Sequence, residues 1–237
     1  MRFGIAVFPG TWSDRDCAHA VTLAGQDPVM LWHRETDLRD VDCVILPGGF
    51  SYGDHLRTGA IARFAPLMDA VLDHARRGGL VWGICNGFQI LCEAHMLPGA
   101  LTRNTSLQFR CEMATLRVET GATPFTYATA PGTLLRVPVS HGEGRYVADE
   151  ATLDDLERSA RVVFRYVSAD GGDVGAATPN GSMRDIAGIV DERRTVLGMM
   201  PHPERACEAD LGSSDGLALF TAVAASLARE GAFAAAR

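Results

Sequence analysis

Apolar residues fall into two alternating rhythms along the N-terminal part of the chain. Arg2 to Phe8, Pro28 to Trp32, Val41 to Leu46 and Leu80 to Ile84 are short, nearly continuous hydrophobic runs. Between them, apolar positions three and four apart predict helices from about Asp14 to Ala24, ended by Gly25, and from Ile61 to Arg77, ended by Gly78 and Gly79. A run that is apolar at both odd and even positions has no polar face to give to water, so it reads as a strand covered on both sides. Strands of that kind separated by helices make a parallel sheet. Functional loops of such a sheet gather at the carboxyl ends of its strands. Four segments remote in sequence are therefore expected at one rim: Pro9-Gly10, Pro47-Gly48-Gly49, Cys85 and His202.

Beyond Gly99 the rhythm changes. Phe109 to Glu119, Leu134 to Val139 and Val162 to Val167 read as strands joined by irregular loops, with a short acidic helix from Asp149 to Ser159 and a turn-rich stretch from Gly171 to Gly181. They are expected to extend the sheet as antiparallel strands before the chain returns through Ile186 to Val190 and Val196 to Met200. An alanine-rich helix from about Asp215 to Glu230 follows. No linker composition and no internal repeat interrupts the pattern, so residues 1-237 read as a single α/β domain.

Composition narrows the chemistry more than the fold. With 237 residues and 47% hydrophobic content the chain is long enough for a substantial core. Its formal net charge is -7, and adjacent arginines occur only at Arg76-Arg77 and Arg193-Arg194, which argues against a nucleic-acid surface. All 22 basic residues are arginine. The absence of lysine excludes a Schiff-base mechanism and a P-loop, since both need that amine. The six cysteines (Cys17, Cys43, Cys85, Cys92, Cys111 and Cys207) show neither C-x-x-C nor metal-ligand spacing, so no metal site is expected. They read as reduced thiols of a cytoplasmic protein. The chain enters a strand at once and has no apolar run of membrane-spanning length, so neither a signal peptide nor a membrane segment is expected.

The chemistry concentrates in Gly83-Ile84-Cys85-Asn86-Gly87-Phe88-Gln89, directly after Leu80-Val81-Trp82. A cysteine between two glycines at a strand-to-helix turn is the thiol counterpart of the G-x-S-x-G nucleophile elbow. The turn is expected to lift the sulfur into solvent reach and to place it at a helix N-terminus, where unpaired N–H groups favour thiolate. A buried core cysteine is the competing reading. Far downstream, Met199-Met200-Pro201-His202-Pro203-Glu204 follows the apolar run Thr195 to Gly198. Its two prolines impose extended backbone, so His202 and Glu204 are expected to project to the same side. Cys85, His202 and Glu204 then make a set of nucleophile, base and orienter. Acyl transfer to a thiol also needs two N–H donors for the oxyanion. The amide of Asn86 and that of Gly49, in the glycine-dense loop Pro47 to Asp54, are the candidates.

The elbow G-x-C-x-G-x-Q and the late H-x-E together resemble the class I, or triad, glutamine amidotransferase family, whose domain is a flavodoxin-like doubly wound sheet with helices on both faces. Longer strings are similar to the family's glutaminase subunits of purine biosynthesis: Phe8-Pro9-Gly10 with Asp14 and Asp16, Pro47 to Asp54 followed by Leu56-Arg57 and Gly59 to Ala62, Leu97 to Leu101, Arg103-Asn104, Ser140 to Gly144, and Pro201 to Glu204. The resemblance implies that Cys85 attacks the side-chain amide of glutamine, that ammonia leaves, and that water cleaves the γ-glutamyl thioester to glutamate. His202 would take the thiol proton and pass it to the leaving ammonia while Glu204 holds the ring. It implies as partners a large synthetase subunit, which uses ATP and Mg to amidate formylglycinamide ribonucleotide, and a small third subunit, with no cofactor in this chain. Gln89, one turn past Cys85, is expected to face the substrate together with Gly48 and Phe50. Asn104 and Ser106 would hold its α-amino and α-carboxylate groups. His141, in a second H-x-E with Glu143, would line the site or face the synthetase. His19, His33, His74 and His95 read as surface residues. Ser13 stands where a cysteine or asparagine is expected, and His55 where a tyrosine is expected. Two competing readings stay open: a thiol-elbow hydrolase, chaperone or peptidase on the same fold, and a catalytically silent regulatory subunit.

Overall fold

A computed structural model describes residues 1–172 and 178–235. The chain runs β1 (Arg2–Val7), α1 (Asp14–Leu23), β2 (Asp27–Trp32), β3 (Cys43–Leu46), α2 (Pro66–Arg76), β4 (Leu80–Ile84), α3 (Asn86–Glu93), β5 (Ala100–Thr102), β6 (Arg110–Val118), β7 (Leu134–His141), β8 (Arg145–Val147), α4 (Glu150–Arg158), β9 (Val162–Val167), β10 (Ile186–Val190), β11 (Val196–Met199) and α5 (Leu217–Ala235). Among the described residues, nine strands form one sheet in the order β2-β1-β3-β4-β11-β10-β9-β6-β7. The first five pair in parallel and the last four antiparallel. The parallel half follows the flavodoxin-like order, in which ligands bind beyond the carboxyl ends of the strands.

Burial tracks the sequence rhythm. Every residue of β3, β4 and β11 is buried, as a strand covered on both faces requires, whereas β7 alternates buried with open positions. At the centre Trp82 packs on Phe220 of α5, with ring centroids 4.8 Å apart, and on Phe125 at 6.0 Å. β11 thus lies between the parallel and antiparallel halves, and its register with β4 pairs Met199 with Ile84. The chain leaves β4 at Cys85 and β11 at Met200 on neighbouring positions of one rim.

Several boundaries differ from the sequence expectation. The helix expected from Ile61 begins at Pro66, because Ala65 before the proline is extended and the preceding residues form a separate 3-10 turn at Ala62–Phe64. Strands β5 and β8, unforeseen, pair among the described residues only with each other. Part of the turn-rich stretch Gly171 to Gly181, residues 173–177, lies outside the described residues.

Candidate active site

Cys85 sits at the N-cap of α3 with φ 52° and ψ -105°, a strained conformation that turns β4 directly into the helix. Its amide donates to Met199 O at 2.8 Å, and its carbonyl accepts from Phe88 and Gln89 at 3.0 and 3.2 Å. The flanking glycines are needed for space. A Cβ on Gly83 would come within 2.6 Å of Gly87 O, and one on Gly87 would fall onto the Leu46 carbonyl. The turn does not lift the sulfur into solvent as expected. Cys85 is only 5% exposed, and its thiol points at Ser140 O, 3.8 Å away on β7. The antiparallel extension roofs the elbow, so the nucleophile is buried yet lines a cavity.

His202 follows β11, with its amide bonded to Pro138 O of β7 at 2.8 Å. Its Nδ1 meets Glu204 Oε1 at 2.6 Å, and both side chains are almost wholly buried. The pair does not converge through an extended segment: His202 caps a single 3-10 turn, Pro203–Arg205, that curls Glu204 back under the ring. Burial alone would push the imidazole pKa down, but the charges of Glu204 and Cys85 outweigh it and hold the pKa above its ordinary value. Nε2 is buried without a hydrogen-bond partner among the described residues, and Cys85 is near enough to act with Glu204 on the ring's charge. That nitrogen is placed to take the thiol proton.

Gly48 packs as a floor under this ring: a Cβ there would lie 2.7 Å from His202 Cε1. Gly49 has φ 149°, and its added Cβ would meet Trp12 N at 2.6 Å. Only glycine fits that crossing of two loops. Its amide, like those of Asn86 and Gly87 in the first turn of α3, has no hydrogen-bond partner among the described residues.

Two adjoining cavities open onto Cys85. One of about 170 Å³ is lined by Gly49, Phe50, Asp54, Thr58, Gln89, Phe109, Ser140, His141, Gly142 and Glu143. The other, of about 100 Å³, reaches Trp12, Ser13, His202 and Arg205. Both are below the size of drug-like pockets and suit one small molecule. Asn86 and Gln89 form a relay along the wall: Ser51 N donates to Asn86 Oδ1 (3.1 Å), Asn86 Nδ2 to Gln89 Oε1 (2.8 Å), and Gln89 Nε2 to Glu143 O (2.7 Å). Burial and the neighbouring Glu143 push the Asp54 carboxyl up to about 6. Burial, helped by His202, pushes His141 down to about 4.

Other expected contacts lie elsewhere. Asn104 is fully buried and spends both ends of its amide on the backbone of 141–144 and on Gln108 O. Ser106 is exposed and bonds within its own loop, away from both cavities. His33 is not a surface residue: it is buried against the Tyr52 hydroxyl at 2.7 Å. His19 pairs with Glu208. Trp12 and Phe109, which line the cavities at the thiol, escaped the sequence reading as site residues, because a lone aromatic residue before an element carries no periodic signal. Burial holds the thiols of Cys17, Cys43 and Cys92 well above the ordinary range and pushes Cys207 up to about 12.

A strained cysteine elbow, a buried His–Glu pair and free amides meet at one rim of a doubly wound sheet, the arrangement of an enzyme that works through an activated thiol. Residues 1–214 match the CobB/CobQ-like glutamine amidotransferase domain, and the chain belongs to that family. It is 56% identical to phosphoribosylformylglycinamidine synthase subunit PurQ of Moorella thermoacetica, over 94% of this chain and 95% of that protein. With PurQ of Rubrobacter xylanophilus the identity is 55%, over 95% and 98%. Among solved structures, PurLQS from Thermotoga maritima contains a chain with TM-score 0.85 and 41% identity, covering 95% of this chain and 98% of that one. A glutamine amidotransferase from the same organism, at 14% identity and TM-score 0.60, shares the fold.

Proposed function

We propose that this chain is the glutaminase subunit of a phosphoribosylformylglycinamidine synthase, an enzyme of purine biosynthesis. Glutamine enters the cavity beside Gln89 with its side-chain amide at Cys85. His202 Nε2 takes the thiol proton as sulfur bonds to the amide carbon, and the oxyanion meets the amides of Gly49 and Asn86. His202 then returns the proton to the departing nitrogen, which leaves as ammonia, and a water molecule hydrolyses the thioester to glutamate. Ammonia passes to a large synthetase subunit that supplies ATP and Mg chemistry, assisted by a small third subunit. The relatives' names and the Thermotoga maritima complex support the partnership. Exposed Trp12, Phe50 and Phe109 around the cavity mouth give the partner apolar surface to cover. Among the described residues no helix is long and apolar enough to cross a membrane, and we place the protein in the cytoplasm.

The observation that carries this reading is the buried His202–Glu204 pair at 2.6 Å with Nε2 left to the Cys85 thiol. Its test is Cys85→Ala in the reconstituted complex. Glutamine-dependent amidation is expected to vanish while amidation from added ammonium persists; loss of both, or of neither, overturns the division of labour.

A further inference from the structure

The turn at 141–144 walls the larger cavity but carries none of the three reacting side chains. Two buried asparagines from distant parts of the chain hold it. Asn104 donates through Nδ2 to His141 O (2.9 Å) and accepts from Gly144 N through Oδ1 (3.0 Å). Asn180, 1% exposed, donates through Nδ2 to Gly144 O (2.9 Å) and to the Tyr166 hydroxyl (3.1 Å), with His141 Nε2 at 3.4 Å. Its Oδ1 accepts from Ser182 N at 3.0 Å. Each amide finds its partners inside the protein, and away from water each such bond is costly to lose.

The turn's next contact is with a side chain that lines the cavity. Glu143 O receives Gln89 Nε2, and Asn86 fixes the other end of the Gln89 amide, so turning the Glu143 carbonyl turns Gln89. Cys85 is held by β4 and α3, and His202 by β11 and Pro138, neither through the asparagines. We propose that Asn104 and Asn180 are positioning residues for glutamine: they clamp the 141–144 turn and, through the Glu143 carbonyl, aim Gln89 at the substrate amide. The assignment rests on glutamine being the substrate. It separates binding from chemistry, because loosening the clamp blurs the pocket wall while leaving the thiol and its base in place.

The test uses Asn104→Asp and Asn180→Asp in the reconstituted complex, since aspartate keeps the shape and the Oδ1 acceptor but removes the Nδ2 donors. KM for glutamine is expected to rise of the order of ten-fold, with kcat changed less than about two-fold. Labelling of Cys85 by 6-diazo-5-oxo-norleucine is expected to slow by a similar factor, and alkylation by iodoacetamide, which needs no pocket wall, to stay at the wild-type rate. Equal slowing of both reagents, or a fall in kcat with KM unchanged, overturns the inference. Where an aspartate variant fails to fold, Tyr166→Phe decides, because it removes one Asn180 partner and keeps the ring packing; a raised KM supports the clamp and an unchanged one overturns it. A wild-type complex that does not hydrolyse glutamine defeats the functional reading itself, whereas an active complex indifferent to these changes defeats only the clamp.

Discussion

His202 and His141 lie on the same rim and are tuned in opposite directions. His202 gains a carboxylate partner and is held above its ordinary pKa, while His141 gains none and is pushed down to about 4 by burial. The first difference is functional. Glu204→Gln keeps the hydrogen-bonding shape but removes the charge, so His202 should titrate at lower pH by NMR, and glutamine turnover should fall by ~10²–10⁴-fold, as when a triad carboxylate is neutralised. The second is a matter of stability. An unfolded chain protonates histidine near pH 6.5, but the folded protein keeps His141 neutral to about 4. Stability owed to this residue is therefore complete above 6.5 and is lost as pH falls from there towards 4, up to ~3 kcal/mol. Thermal melts of wild type should fall across that window, and those of His141→Gln should fall less; parallel curves would refute the assignment.

Elements were legible where burial left a periodic trace. β3 and β4 are apolar at nearly every position because both faces are covered, and that cannot be disguised in sequence. β5 and β8 are too short to show a period, and they exist through pairing with one another. The start of α2 was misplaced because apolar spacing runs on through Ala62–Phe64, and only Pro66 marks the boundary. The three reacting residues were legible from local motifs, but the buried, backbone-holding role of Asn104 was not. A polar residue in a loop looks the same in sequence whether water or buried backbone takes its hydrogen bonds. The close docking of α3 on the end of β3 makes a prediction of its own. Gly87→Ala would drive a methyl onto the Leu46 carbonyl, where backbone cannot move aside cheaply. A loss of ~3 kcal/mol or more, about 6–12 °C in melting temperature, is expected by calorimetry.

At the scale of the whole molecule, the parallel half supplies the thiol and the glycine loop, and the antiparallel half supplies the roof and the turn beside Gln89. The mouth between them is ringed by apolar side chains that a lone subunit gains nothing by exposing. Leu107, in the loop before β6, stands 78% exposed without lining either cavity. Leu107→Asp should weaken association with the synthetase by about ten-fold or more in a titration, while iodoacetamide labelling of Cys85 in the isolated chain stays as in wild type. Unchanged association would place the contact elsewhere.

The insertion of β11 between β4 and β10 also dictates an order of events during synthesis. The elbow leaves the ribosome early, but the strand that pairs with it, and the histidine that activates it, come more than a hundred residues later. Until then the middle of the sheet stands open along β4, and the thiol has no base. A nascent chain therefore carries a nucleophile it cannot use. The thiol meets its base only when the last central strand closes the sheet.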